Sequence, residues 1–302
     1  MPGTPSALDF ESASPVEQID TGSPHKLPQP GLALCLSGGG YRAMLFHLGA
    51  LWRLNELGYL PKLDRVSSVS GGSITAGVLG LKWSRLTFDG DGRSKEFPEE
   101  VVTPIRQLAG KTIDLPAIFT GLLLPFQNIG QRVAKSYGKH LFDEATLQDL
   151  PDHPRFVINA TNVQSGALWR FMKPYMRDYR VGEVKNPTIR LSDAVAASSA
   201  FPPFLSPFRL RLSEDAFTPN SGRDLQRPPF TTRVVLSDGG VYDNLGLETA
   251  WKRYDTILVS DGGGQMQLEA KPKGDWVRHF MRVFFVIDNQ VRALRKRQVI
   301  GA

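Results

Sequence analysis

The sequence has 302 residues and a single cysteine, Cys35, so it can form neither an internal disulfide nor a CxxC-type metal site. Such scarcity fits a reducing, cytoplasmic setting. No window of about 18 apolar residues occurs, so no helix long enough to cross a bilayer is expected. The most apolar stretch, Ile118 to Phe126, is too short and is interrupted by Pro125. No apolar run follows a basic start near Met1, so no secretory signal is expected. Neither charge sign dominates: 36 Lys and Arg against 30 Asp and Glu leave a net charge of +6. The pI near 9.4 keeps anionic surfaces open as partners. The basic residues are spread along the chain and match no nucleic-acid-binding module, so no nucleic acid is expected. With 41% hydrophobic and 22% charged residues, the chain is neither fibrous nor wholly disordered.

Residues 1–30 are rich in proline, with Pro5, Pro15, Pro24, Pro28 and Pro30, and read as a flexible extension. From Gly31 onward, 31–302 reads as one domain with a strand–helix rhythm. Leu32 to Leu36 is an apolar run suited to a strand buried on both faces. Tyr41 to Leu57 places Leu45, Leu48 and Trp52 at helical spacing, and Gly58 stops it. Arg65 to Val69 reads as a second strand and Ser73 to Leu81 as its following helix. Residues 84–140 form a less regular insertion, with helices expected around Glu99–Leu108 and Ile118–Tyr137. Ile118 to Phe126 within it is a candidate lid, or a buried packing helix. Further strands are expected at Phe156–Asn159, Leu168–Phe171, Val234–Ser237 and Ile257–Ser260. Ser192 is placed as the N-cap of a short helix reaching Ala200. Trp276, Phe280, Val283, Phe284, Ile287, Val291 and Leu294 share one face of a C-terminal helix. That helix runs almost to Ala302 without a stop signal, as in a chain that continues. The alternation predicts an α/β fold with a mainly parallel sheet.

Three apolar strands run into glycines: Gly38-Gly39-Gly40, Ser70-Gly71-Gly72 and Asp238-Gly239-Gly240. In a parallel α/β sheet, ligands gather where strands end and helices begin. A serine on a tight strand-to-helix turn has the geometry of a nucleophile elbow, G-x-S-x-G. Here the pattern is Ser68-Val69-Ser70-Gly71-Gly72, with Ser68 in place of the first glycine. The same residues also read as a polar, tightly turned loop, since Ser67, Ser68 and Ser73 are neighbours.

Gly38, Gly39 and Gly40 could present backbone N–H groups to an oxyanion or to a phosphate, because Gly38-x-Gly40-x-x-Ala43 meets the loose dinucleotide fingerprint. The nucleotide reading lacks the acid that should end the second strand, and there is no P-loop G-K-[ST]. None of the five histidines stands at a strand end as a general base would. His47 reads as a surface or core residue. Asp238 and Asp261 each end a strand, and an aspartate base implies a dyad rather than a triad.

Ser37-Gly38-Gly39-Gly40-Tyr41-Arg42-Ala43, Ser68-Val69-Ser70-Gly71-Gly72 and Asp238-Gly239-Gly240 together resemble the patatin-like phospholipases. The likeness is strongest to the bacterial branch akin to cytosolic phospholipases, and it runs from about Gly31 to the C-terminus. It implies a three-layer α/β/α fold with a mainly parallel central sheet. It also implies a lipid acyl hydrolase (phospholipase A or lysophospholipase type) that works through an acyl-enzyme without metal or organic cofactor. By position, Ser70 would be the nucleophile and Asp238, followed by Gly239 and Gly240, the general base. The N–H groups of Gly38, Gly39 and Gly40 would form the oxyanion hole, with Arg42 steadying that loop. Ser68, Gly71 and Gly72 would shape the elbow. Asp261 matches no catalytic position and is read as an ordinary turn. Fatty-acyl esters would be the substrate, with an anionic membrane surface as a possible peripheral partner. Arg292, Arg295, Lys296 and Arg297 would either meet that surface or form a solvated helix end. The alternative is a catalytically silent lipid- or nucleotide-binding module that keeps the glycine loops.

Overall fold

The computed structural model describes residues 28–110, 129–251, 253–264 and 266–300. Residues 1–27 of the expected extension and the candidate lid, Ile118 to Phe126, lie outside these. The first strand, β1 (Gln29–Leu36), already begins at Gln29. It leads into helix α1 (Gly40–Glu56), then β2 (Arg65–Val69) and helix α2 (Gly71–Lys82). Both helices begin earlier than their apolar residues suggest, because the glycine turns are folded into their first turns.

Four strands, β9 (Tyr254–Ser260), β1, β2 and β3 (Arg155–Asn162), run parallel side by side. Beyond β3 the sheet continues antiparallel through β4 (Ala167–Phe171), β5 (Tyr175–Asp178) and β6 (Gly182–Lys185). β5, β6 and β7 (Phe208–Arg211) were not legible in the sequence: each spans four residues, too few for an alternation to stand out. β7 pairs with β8 (Arg233–Asp238), which in turn pairs with β3.

β1 is buried on both faces. Leu34 and Leu36 join the main core under α1 and α2, while Ala33 and Cys35 pack on the other face against Leu245, Leu247 and Ala250. This is the expected three-layer arrangement around a central sheet. α2 is buried from Gly71 through Gly80 and forms the centre of the main core. The insertion contributes α3 (Thr103–Gly110) and α4 (Ile129–Tyr137).

Three sequence expectations are corrected. In α1 the buried stripe is Met44, His47, Leu48 and Leu51, whereas Leu45 and Trp52 are exposed, so the helix is rotated about one residue from the assumed register. α5 (Leu191–Ser198) is preceded by Arg190, so Ser192 sits in its first turn rather than at the cap. In the C-terminal helix, numbered α7 below (Trp276–Ile300), much of the apolar face points outward: Trp276 is 81%, Phe280 60% and Leu294 60% exposed. The side turned to the body buries a cation, Arg292.

Candidate active site

β3 organises the site by pairing with two strands along one of its edges. β2 runs parallel to it up to the pair Val69–Asn159. β8 arrives antiparallel and pairs Asp238 with Ala160, the next residue of β3. The carboxyl ends of β2 and β8 therefore meet head to head, and Ser70 and Asp238 stand at the junction. β8 was expected to supply Asp238 from its end, as it does, but it reaches the site from beyond the parallel strands rather than as one of them.

Ser70 has φ 52° and ψ −120°, a backbone conformation that L-residues rarely adopt. Two contacts enforce it. The Ser70 N–H donates to Ser198 Oγ at 2.9 Å, and α2 starts immediately, with Ser73 N–H bonding back to the Ser70 carbonyl at 2.8 Å. A Cβ at Gly71 would collide with the Gly40 carbonyl, so the two glycine turns can approach this closely only without side chains there. Ser68, where the motif usually has glycine, is fully buried. Its hydroxyl donates to the Val157 carbonyl at 3.2 Å and accepts from Ser73 at 3.0 Å. The substitution thus ties the elbow to β3.

Asp238 is 2% exposed. Its Oδ1 accepts the Gly240 N–H at 2.7 Å, at the start of a short helical turn, α6 (Gly240–Asp243). Among the described residues its Oδ2 has no hydrogen-bond partner. Burial pushes its pKa up to about 7, opposed by the Gly240 N–H and the Ser70 hydroxyl and reinforced by the Asp288 carboxylate. A carboxylate in this state is poised to exchange a proton near neutral pH.

The glycine loop after β1 lies beside Ser70. Gly38, expected to offer its N–H to a ligand, instead donates it to the Asn244 carbonyl at 2.9 Å. No such bond engages the N–H of Gly39 or Gly40 among the described residues, and both glycines are exposed on the pocket wall. Gly39 has φ +142°, and a Cβ there would lie 3.2 Å from the Gly262 carbonyl oxygen. Arg42 also lines the pocket, with its guanidinium against the backbone at Gly264. His47 is buried, and that burial lowers its pKa. Its Nε2 faces the Ser37 carbonyl at 2.9 Å and must donate there, so Nδ1 accepts from the Ser260 hydroxyl at 2.8 Å. His47 is a brace for the loop, in line with its reading as a core residue.

Four further residues escaped the sequence reading. Ser198 binds Ser70 N–H and donates to the Asn159 carbonyl at 2.6 Å. Asn159 Nδ2 donates to Ser67 Oγ at 2.9 Å and to the Ser68 carbonyl at 3.0 Å. Asn244 fixes Gly38, and Phe201 meets Phe284 edge-on and stacks on Phe285 of α7. The proline pair after Ala200 was the one signal near Ser198 and Phe201.

These groups open into a cavity of about 610 Å³. Ser70, Asp238 and Gly39–Gly40 line it, and Ile74, Val133, Leu205, Val241, Phe284 and Phe285 give it apolar walls. Its size is that of a small-molecule or acyl-chain site. Among the described residues no cluster of His, Cys, Asp and Glu could hold a metal ion, and no helix is long and apolar enough to cross a membrane.

Several solved structures match parts of the chain. Human GIVD cytosolic phospholipase A2 matches at 16% identity and TM-score 0.46, covering 76% of this chain and 42% of that one. The same enzyme in complex with methyl gamma-linolenyl fluorophosphonate matches at 18% identity and TM-score 0.40, covering 68% and 34%. VipD from Legionella pneumophila matches at 18% identity and TM-score 0.34, covering 74% and 47%. The chain thus spans less than half the length of each. No curated protein sequence matches. Residues 34–251, more than half of the chain, match the family profile described as patatin-like phospholipase, and they include Ser70, Asp238 and all three glycine turns. The chain belongs to the patatin-like phospholipase family.

Proposed function

We propose that the protein is a lipid acyl hydrolase, of phospholipase A or lysophospholipase type, that cleaves carboxylic esters through a Ser70–Asp238 dyad. The observation that carries this reading is the meeting of Ser70 with a buried carboxylate whose pKa burial raises to about 7. Asp238 takes the Ser70 proton as Oγ attacks the ester carbonyl. The N–H groups of Gly39 and Gly40, with the N-terminus of α2 beneath them, hold the developing oxyanion. Gly38 contributes through its turn, because its N–H is committed to Asn244. Protonated Asp238 then returns the proton to the leaving alcohol, and a water activated by the same carboxylate releases the fatty acid from Ser70. The chemistry calls on no metal or organic cofactor.

The acyl chain would lie along the apolar cavity. The outward stripe of α7, Trp276, Phe280, Val283, Ile287 and Leu294, would touch an anionic lipid surface on the cytoplasmic side. Arg297 is exposed at that helix end, where Arg292, Arg295 and Lys296 are ion-paired. Purified wild type should turn over a p-nitrophenyl acyl ester and react with a fluorophosphonate probe, and Ser70→Ala should do neither. Turnover retained by Ser70→Ala would overturn the mechanism. Absence of labelling in the wild type would favour a silent binding module.

A further inference from the structure

We propose that α7 is a clamp that sets the position of the Gly39–Gly40 loop, with Arg292 and Asp261 as its positioning residues. The inference rests on the reading of that loop as an oxyanion hole, but its structural part can be tested separately.

α7 is attached to the body by ion pairs more than by apolar burial. Arg292 is the residue this 25-residue helix buries. Its Nη2 donates to Asp261 Oδ1 at 2.7 Å and its Nη1 to the Gly264 carbonyl at 2.9 Å. Lys296, one turn on, reaches Asp261 Oδ2 at 2.6 Å. Burial disfavours a charge on Asp261, yet the Lys296 hydrogen bond, the Arg292 charge and the Gly263 N–H hold its pKa below the usual carboxylate value. Asp261 is therefore more than an ordinary turn residue: it receives two cations of α7.

The loop that Asp261 begins is bonded directly to the glycine turn after β1. Gly262 N–H donates to Ser37 Oγ at 2.9 Å. Ser37 N–H donates to the Ser260 carbonyl at 3.1 Å, and His47 bridges the Ser37 carbonyl and the Ser260 hydroxyl. Gly39 rests against Gly262 and Gly263.

A second arm leads to Gly38. Arg295 pairs with Glu248 at 2.9 Å. Glu248 N–H donates to Asp243 Oδ2 at 2.7 Å, and the next residue, Asn244, takes the Gly38 N–H. Both segments that touch Gly38 and Gly39 are thus fastened to one helix. That helix and the Asp261 loop lie beyond residues 34–251, the part that matches the family profile. Because such donors act through preorganised geometry, loosening their support lowers kcat rather than substrate binding.

The test uses Arg292→Met, Asp261→Asn and Arg292→Lys in the full chain. The readouts are kcat and KM on p-nitrophenyl butyrate and hydrogen–deuterium exchange of the 36–44 segment. Arg292→Met and Asp261→Asn should lower kcat roughly tenfold to a hundredfold with KM within about twofold. The amides of 38–42 should exchange faster, and the double variant should be no worse than the worse single one. Arg292→Lys, which keeps a cation for Asp261 but loses the planar fork, should fall between. A folded Arg292→Met with unchanged exchange over 36–44 overturns the clamp, whatever its activity. Unchanged kcat with faster exchange overturns the catalytic consequence. If Arg292→Met does not fold, the half-exposed Lys296→Gln takes its place and should accelerate the same amides; unchanged exchange there overturns the proposal. Failure of the hydrolase reading would show instead as an unlabelled wild type, with the exchange result still deciding the clamp.

Discussion

Ser70 and Asp238 are neighbours because β2 and β8 end on consecutive residues of β3: Val69 pairs with Asn159, and Asp238 pairs with Ala160. The two strands do not pair with each other. The pair is held by the edge of a third strand and by the Ser198 hydroxyl, which joins Ser70 N–H to the Asn159 carbonyl.

The pH dependence of turnover follows from Asp238. As a general base it must be ionised, and its pKa is pushed up to about 7 by burial. The kcat/KM profile should rise through this region and level off above about pH 8. A plateau already reached at pH 5 would contradict that role.

The same residue imposes a stability cost. Its native pKa of about 7 lies above the ordinary 3.8. The native state therefore holds a proton that the unfolded chain releases across that window, and its contribution to stability is lost as pH rises through about 7. Asp238→Asn keeps an acceptor for Gly240 N–H and removes the buried charge. Its Tm advantage over wild type should be small at pH 5, just inside the window that opens at 3.8, and larger at pH 8, with a ceiling of about 4 kcal/mol. Turnover should be lost. Thermal melts of both proteins at the two pH values check this.

Ser70 stores backbone strain at φ 52°. Ser70→Ala keeps that strain, whereas Ser70→Gly relieves it at some cost in unfolded-state entropy. The glycine variant should be the more stable of the two inactive proteins by about 1 kcal/mol in urea denaturation. Equal midpoints would mean that the turn is not strained.

Ser198→Ala should leave Ser70 N–H without its buried acceptor and destabilise the protein by about 1–3 kcal/mol. It should also lower kcat, because the turn that presents Ser70 is loosened. Full activity together with wild-type stability would remove Ser198 from the support of the elbow.

Gly39→Ala places a Cβ 3.0 Å from Ala43 Cβ and 3.2 Å from the Gly262 carbonyl oxygen, on a backbone at φ +142°. The loop must shift, so kcat on a soluble ester should fall at least about tenfold, with slower fluorophosphonate labelling of Ser70. An unchanged labelling rate would argue against any role for this loop in holding the oxyanion.

The sequence by itself determined the βα units and their glycine turns. Those signals are local: an apolar run such as Leu32–Leu36, a glycine that lets the chain turn, and a helical period that follows. It also placed Ser70 and Asp238 at strand ends, because each turn is encoded within a few residues. Tertiary structure decided the rest. The direction of β8, the loss of the Gly38 N–H to Asn244, and the support of Ser70 by Ser198, 128 residues away, depend on partners distant in sequence. Periodicity showed that α7 has an apolar face but not which way it turns: the side that meets the body carries the Arg292–Asp261 pair and the contacts of Phe284 and Phe285 with Phe201, all with partners distant in sequence. Hydrophobic spacing names a face; the partners waiting across the interface, charged and aromatic, decide where it points.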